Sequence, residues 1–411
     1  MEITVVRHGQ SESNRSGLWQ GQGDSPLSEE GRLQAGALGF RLAGHHYDLV
    51  IASDLQRAVH TAQALGHEPE VDPAWRELDI GTWEGRSQED VAAEDPDVLA
   101  AVRKGEDVKL GGGESLAEFD ARVGAVFEKL QARLDPDDRA LVVAHGGVIA
   151  SLTRHVLGQA RSFWSGFGPL ENTSLTHFRV YPSGPMLISY NDATHLGPIN
   201  RWTQERHDEG NTLLTLIRHG QTDANIDDRW QGITDGELTL DGRAQAAALA
   251  EWYPGLDTLY SSPLRRAQDT AAALADVLGV EVENHQGFIE MDLGEWEDLT
   301  TPTIQTEWAQ LWEQIYEHGE DLPRGATGES LTGTAARMEA ALQELAHRHA
   351  GARVGVVSHG GAIRSYVLDL LDIGHAGRDR LAFVDNTAVT HILIGEDSAT
   401  IADYNVAPHL E

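Results

Sequence analysis

The order of residues repeats itself once, and that repeat limits the possible folds more than any other feature of the chain. Val5-Val6-Arg7-His8-Gly9-Gln10-Ser11 returns 211 residues later as Leu216-Ile217-Arg218-His219-Gly220-Gln221-Thr222. At the same offset Trp19-Gln20-Gly21 recurs as Trp230-Gln231-Gly232. Farther on, Arg57-Ala58 is answered by Arg266-Ala267, Glu77-Leu78-Asp79 by Glu290-Met291-Asp292, and His145-Gly146-Gly147 by His359-Gly360-Gly361. Asn172-Thr173 and Tyr190-Asn191 return as Asn386-Thr387 and Tyr404-Asn405. The offset moves only between 209 and 214, so small insertions separate the halves. A period of this length is that of whole domains, not of solenoid units, and 411 residues suit two domains of ordinary size. The expected division is 1–199, a linker over 200–211, and 212–411. So short and charged a linker implies an intramolecular pair of domains lying close together.

Each half opens on an apolar, β-branched run, at 3–6 and 213–217, that reads as a buried strand. A helix is expected over 28–43, on the spacing of Leu33, Ala37 and Leu38, with its counterpart over 239–253. Strands at 49–52 and 259–260 precede helices near Leu55 and Leu264. Gly113-Glu114-Ser115-Leu116 and Gly328-Glu329-Ser330-Leu331 read as a turn and a cap before further helices. Strands at 140–144 and 354–358 end directly at the two His-Gly-Gly motifs. Alternating strands and helices predict two α/β layered domains, each with a mainly parallel sheet flanked by helices. The histidine motifs then fall at the C-terminal ends of strands, where open α/β sheets bind ligands.

Composition narrows the ligand. The chain carries 65 acidic and 31 basic residues, a formal charge of −34. Such a field repels nucleic acid and anionic membranes, so neither is an expected partner. An anionic substrate would need a local basic pocket. The absence of cysteine rules out disulfides, thiolate nucleophiles and cysteine-bound zinc. No His-x-x-x-His pair with a helical glutamate occurs, so no metal and no cofactor is expected. The N-terminal residues lack the basic and apolar regions of a secretory signal, and no apolar run would span a bilayer, so a cytoplasmic protein is expected.

The paired motifs suit phosphoryl chemistry. A neutral imidazole at His8 is a competent nucleophile toward phosphorus when one nitrogen is aimed and the other is held. Gly9 admits close approach of a bound group. Arg7 offers planar, fork-like donors, Arg57 stands at a second strand-to-helix junction, and His145 at a third before a helix N-terminus that favours anions. Asn14 adds a neutral donor, and loops at 19–25 and 86–109 should line the outer pocket. A glutamic acid near a phosphate dianion has its pKa raised, so Glu77 could protonate a leaving alkoxide and then deprotonate a water. Trp83 and Trp296 read as core aromatics.

Together these motifs resemble the histidine phosphatase superfamily, the phosphoglycerate-mutase-like fold, over almost the whole chain. The matching residues are Arg7-His8-Gly9 with Asn14, Ser53-x-x-x-Arg57-Ala58, Glu77-x-x-x-Gly81-x-Trp83-Glu84 and His145-Gly146-Gly147. In the second copy they are Arg218-His219-Gly220 with Asn225, Ser262 to Arg266-Ala267, Glu290 and His359-Gly360-Gly361. The resemblance implies that His8 and His219 become phosphorylated and that Glu77 and Glu290 carry protons. It implies that Arg7, Arg57 and His145, with Arg218, Arg266 and His359, hold phosphoryl oxygens. Asn14, Gln20 and Gly21, with Asn225, Gln231 and Gly232, are the expected substrate-binding residues. The short interval from glutamate to second histidine, 68 and 69 residues, and His-Gly-Gly in place of His-Gly-Asn favour the phosphatase branch. The expected activity is hydrolysis of small phosphate monoesters at two sites. Phosphoglycerate-mutase-type transfer, or one copy that binds without turnover, are the alternatives. Three departures stand out: Asp54-Leu55-Gln56 in place of the family's Ser-Pro-Leu, Ala150 opposite Arg364, and Asp298 opposite Gly85.

Overall fold

The computed structural model describes residues 1–104, 106–159, 166–395 and 398–410. It separates into two compact units, Met1–Ser165 with Pro169–Asn200, and Gly166–Gly168 with Arg201–Glu411. The first holds strands β1 (Glu2–Arg7), β2 (Leu49–Ala52), β3 (Glu70–Val71), β4 (Arg139–Ala144), β5 (Leu175–Tyr181) and β6 (Gly184–Asp192). Their order is β3-β2-β4-β1-β5-β6. The first four run parallel, whereas β5 is antiparallel to β1, and β6 to β5. The second unit holds β7 (Thr212–Arg218), β8 (Thr258–Ser261), β9 (Val282–Asn284), β10 (Arg353–Ser358), β11 (Val389–Ile394) and β12 (Ala399–Val406). They are ordered β9-β8-β10-β7-β11-β12, with the same directions. The mainly parallel α/β architecture is therefore present twice. The antiparallel additions escaped the sequence reading because buried Thr176, Ser189, Asn191 and Asp192 interrupt the apolar pattern.

Each sheet is covered by helices through an apolar core. Val6, Leu141 and Val143 of the first sheet pack with Leu38, Ala58 and Ala62. Ile217 and Val357 of the second pack with Leu249, Ala267, Ala271 and Leu274. Trp83 and Trp296 are fully buried core residues, and the Trp83 indole donates to Asp95 at 2.6 Å. Among the described residues, no helix is long and apolar enough to cross a membrane.

Three local expectations change. The helix Glu29–Arg41 forms, but its inner face is Gly31, Gln34, Ala35 and Leu38, while Leu33 is 65% exposed. Backbone contact, not aliphatic bulk, sets that face: Gly31 lies against Gln10 and Gly9, and Gln34 Oε1 accepts the Gln10 amide at 2.9 Å. The stretch 86–109 is not a loop, since it contains the helices Gln88–Glu94 and Pro96–Arg103; residue 105 lies outside the described residues. Within 200–211, Arg201–Asp208 is helical and packs on β7 and β11 of the second unit.

A Cβ added at Gly31 would collide with the Gln10 carbonyl. Gly31→Ala should therefore destabilise the first unit by about 1–3 kcal/mol. Gly36→Ala, on the open side of the same helix with nothing within 4 Å, should be neutral or slightly stabilising. Urea unfolding of the two variants checks the contrast.

Candidate active site

Parallel pairing continues one residue past three neighbouring strand ends and brings Ser53, His145 and His8 side by side. The His8 amide donates to Ala144 O at 3.0 Å, and the Ser53 amide to Val143 O at 3.0 Å. The ring centroids of His8 and His145 are 5.2 Å apart, and those of His219 and His359 5.1 Å. Both copies thus gather their histidines from β1 and β4, or from β7 and β10.

His8 Nδ1 lies 2.7 Å from the carbonyl oxygen of Gly9, and His219 Nδ1 2.7 Å from that of Gly220. A carbonyl only accepts, so Nδ1 carries the proton and Nε2 keeps its lone pair. Gly9 is itself fixed: its amide donates to Thr61 Oγ1 at 3.0 Å, as Gly220 donates to Thr270. Burial holds all four histidines well below the ordinary imidazole pKa, and the neighbouring arginines push the same way. His145 Nε2 meets Ser53 Oγ at 2.9 Å, and His359 Nε2 meets Ser262 Oγ at 2.7 Å. Ser53 and Ser262 thus occupy equivalent places, so the motif's serine is retained. The departure narrows to Asp54, which stands where the second copy has Pro263 and forms a two-point ion pair with Arg76 at 2.7 and 2.5 Å.

The arginines are held differently from the open forks the sequence suggested. Arg57 donates from its terminal nitrogens to Gly21 O and Gly23 O, both at 2.8 Å, and turns Nε toward His8 Nε2 at 3.2 Å. Arg266 donates to Gly232 O and Thr234 O and turns Nε toward His359 Nδ1 at 3.2 Å. Arg7 and Arg218 are anchored to Leu170 O and Val384 O, while the Nε of each is buried without an acceptor among the described residues. Anchoring by carbonyls positions a guanidinium without cancelling its charge.

Glu77 Oε2 accepts the Gly147 amide at 2.8 Å and Oε1 the Leu78 amide at 2.8 Å. Glu290 accepts Gly361, Ala362 and Met291 amides. Burial raises both carboxyl pKa values against these amides and the arginines. The second glycine of each His-Gly-Gly is required by this contact, since a Cβ at Gly361 would sit 2.7 Å from Glu290 Oε1.

Residues 3–193 and 214–407 match the family described as the histidine phosphatase superfamily (branch 1). The chain belongs to this superfamily. The glucosyl-3-phosphoglycerate phosphatase of Mycobacterium tuberculosis is 34% identical over 185 residues, covering 42% of this chain and 83% of the relative. The adenosylcobalamin/alpha-ribazole phosphatase of Salmonella typhimurium is 32% identical, covering 44% and 86%. Phosphoserine phosphatase 1 of Hydrogenobacter thermophilus is 30% identical, covering 48% and 93%.

The remaining expected site residues of this histidine phosphatase chain are chiefly neighbours of the histidine turn. Asn14 and Asn225 accept the amides of Ser11 and Thr222 in capping boxes. Gln20 Oε1 accepts Ser11 Oγ at 2.7 Å, its buried Nε2 has no partner among the described residues, and Gln231 accepts Thr222 at 2.9 Å. Gly21 and Gly232 present carbonyls to the arginines, so their main contact is with protein.

Sequence reasoning assigned no role to three supporting groups. Asn172 and Asn386 donate to His8 O and His219 O, both at 2.9 Å. Thr173 and Thr387 follow at φ 61° and 59°, strained for β-branched residues, and donate their amides to Arg7 O and Arg218 O. The pair Glu114–Arg122 is bidentate at 2.8 and 2.7 Å, and Arg122 also holds Ala74 O, Arg76 O and Glu77 O. Glu329–Arg337 repeats this around Glu290. The repeated Asn-Thr and Gly-Glu-Ser motifs were the available signals. Asp298 at φ 62° adopts the turn of Gly85 at φ 72°, so that departure is neutral for backbone shape.

The linkage sign follows from these shifts. Each histidine has a folded pKa below the ordinary 6.5, so its stabilisation is present above that pH and is lost as the pH falls. The raised carboxyls act oppositely: their contribution is full below 4.5 and lost as pH rises through the folded pKa. Melting temperature should fall as pH goes from about 7 to about 5. The fall should be shallower in a His145→Asn, His359→Asn double variant, as melting followed by circular dichroism at several pH values would reveal.

Proposed function

We propose that the chain hydrolyses phosphate monoesters of small molecules at two sites, through phosphohistidine on His8 and on His219. The observation that carries this reading is the Nδ1–carbonyl bond, which leaves Nε2 of a buried, neutral imidazole without a proton in both copies; it meets Arg57 Nε in the first, while Arg266 Nε turns to His359 in the second. His8 Nε2 attacks phosphorus, an N–P bond forms, and the bond to the leaving oxygen breaks. Glu77, whose carboxyl pKa is raised by burial, gives a proton to that alkoxide in its acid form. The resulting carboxylate takes a proton from water, the water oxygen bonds phosphorus, and the N–P bond breaks to release inorganic phosphate. Arg7 Nε, Arg57 Nε and His145 stabilise the charge on the equatorial oxygens. His219, Glu290, Arg218, Arg266 and His359 act in the same roles in the second unit. The named activities of the relatives support a small phosphorylated substrate.

Labelling with a monoester radioactive at phosphorus, quenched in alkaline detergent because an N–P bond is acid-labile, should give up to two phosphates per wild-type chain and up to one in His8→Ala or His219→Ala. The double variant should retain none. No label in any form would refute the mechanism, and isomerised product without free phosphate would indicate transfer instead. The acidic limb of kcat/KM should lie below the ordinary histidine pKa of 6.5, because protonating the nucleophile is opposed by burial. A rate profile on each single variant measures that limb.

A further inference from the structure

The two units differ in charge beside the candidate site. Arg364 stands on the helix Gly360–Leu370, where the first copy has Ala150 on the helix Gly146–Leu157. It lies one turn beyond Gly360 and Gly361, on the face they share. Gly360 faces Arg218, whose Nε would be 3.2 Å from a Cβ there, and the Gly361 amide holds Glu290 at 2.9 Å.

One short segment ties Arg364 to that site. Leu381 O accepts Arg364 Nε at 2.8 Å, Ala382 O accepts the Tyr404 hydroxyl at 2.5 Å, and Val384 O accepts Arg218 at 2.7 Å. Between them Phe383, 56% exposed, places its ring 4.2 Å from the Arg364 guanidinium carbon. The guanidinium is thus held in plane by one carbonyl and one ring. Among the described residues its two terminal nitrogens have no hydrogen-bond acceptor, and no carboxylate lies within 4.0 Å of it. The nearby charged groups are Arg378 and Asp379, which pair with each other at 3.3 Å, and the tyrosines Tyr316 and Tyr404 are neutral at ordinary pH. The terminal nitrogens are not among the buried polar atoms that lack a partner, so they stay open to solvent and to an anionic group that approaches them. The planar guanidinium fork matches a carboxylate or a phosphate.

We propose that Arg364 forms a specificity subsite in the second unit for a second anionic group, carboxylate or phosphate, on the alcohol portion of the substrate. The proposal rests on the reading of that unit as a phosphate-monoester site. Among the described residues the first unit has no charge at the matching position, which is Ala150, and its Arg76 is already paired with Asp54. The two sites therefore divide substrates by the charge of the group that leaves.

The test uses the full chain with His8→Ala, so that turnover reports the second unit. The value of kcat/KM is measured on 3-phosphoglycerate, which carries a second anion, and on phenyl phosphate, which does not. Arg364→Met keeps a stem over Phe383 and removes the charge. It should lower the ratio of 3-phosphoglycerate to phenyl phosphate kcat/KM by about tenfold or more, mainly through KM, and Arg364→Lys should recover part of the loss. Equal losses on both substrates, or an unchanged ratio, would overturn the subsite. If the His8→Ala chain hydrolyses neither ester, the hydrolytic reading of the second unit fails by itself. Calorimetric affinity for 3-phosphoglycerate relative to inorganic phosphate then decides Arg364, with the same tenfold loss expected in Arg364→Met and an unchanged ratio counting against it.

Discussion

A neutral imidazole carries one proton, and the 2.7 Å contact between His8 Nδ1 and the Gly9 carbonyl decides which nitrogen holds it. Much of the surrounding structure serves to keep that contact in place. Gly9 can present its carbonyl only because its own amide is taken by Thr61 and because Gly31 allows a helix to touch the turn. The strand end is clamped from the other side by Asn172 and Thr173, which bond the carbonyls of His8 and Arg7. His219, Gly220, Thr270, Gly242, Asn386 and Thr387 rebuild the same restraint in the second unit. A single rotated peptide would exchange the protonated and unprotonated nitrogens. That explains why the backbone tolerates a left-handed threonine in both copies.

The charges around this contact are handled by a consistent device. Arg7, Arg57, Arg218 and Arg266 are fixed by backbone carbonyls, which take up part of their donors and carry no net charge. Close bidentate carboxylate pairs form on the arginines that hold the scaffold, Arg122 with Glu114 and Arg337 with Glu329, whereas Arg266 has Asp235 only at 3.9 Å. The pocket can then attract an anion although the whole chain carries a formal −34. At a few ångströms, in a site partly removed from water, nearby guanidinium groups outweigh a surface field that salt screens within about 10 Å. The same burial that keeps the histidines neutral keeps the glutamates protonated more readily. One physical cause thereby shifts both kinds of group, in opposite senses.

The parallel strands, the positions of both histidine motifs and the core tryptophans were legible in the order of residues, because they rest on local apolar runs and on exact repetition. The spacing that marks Leu33 as an inward position fails for a physical reason. Helical spacing marks apolar residues, but this helix meets the Gly9–Gln10 turn through Gly31 and Gln34 and packs on the sheet core through Leu38, so much of its buried face is invisible to hydropathy. The polar interiors of β5 and β6 hid the antiparallel strands in the same way. Glu114 was read as part of a turn because its work is done on backbone atoms around Glu77, 37 residues away in sequence, and at Arg122 one helix onward.

Duplication, acidity, the absence of cysteine and the chemical kinds at each motif follow from the amino-acid sequence alone, since they concern identity and order. Which nitrogen of His8 is available, which way each guanidinium points and why Ser53 counts while Asp54 does not were decided only in three dimensions. The reason is physical. Those properties depend on hydrogen bonds between side chains and backbone groups far apart in the chain, and such bonds are defined by distance and direction, which residue order does not carry.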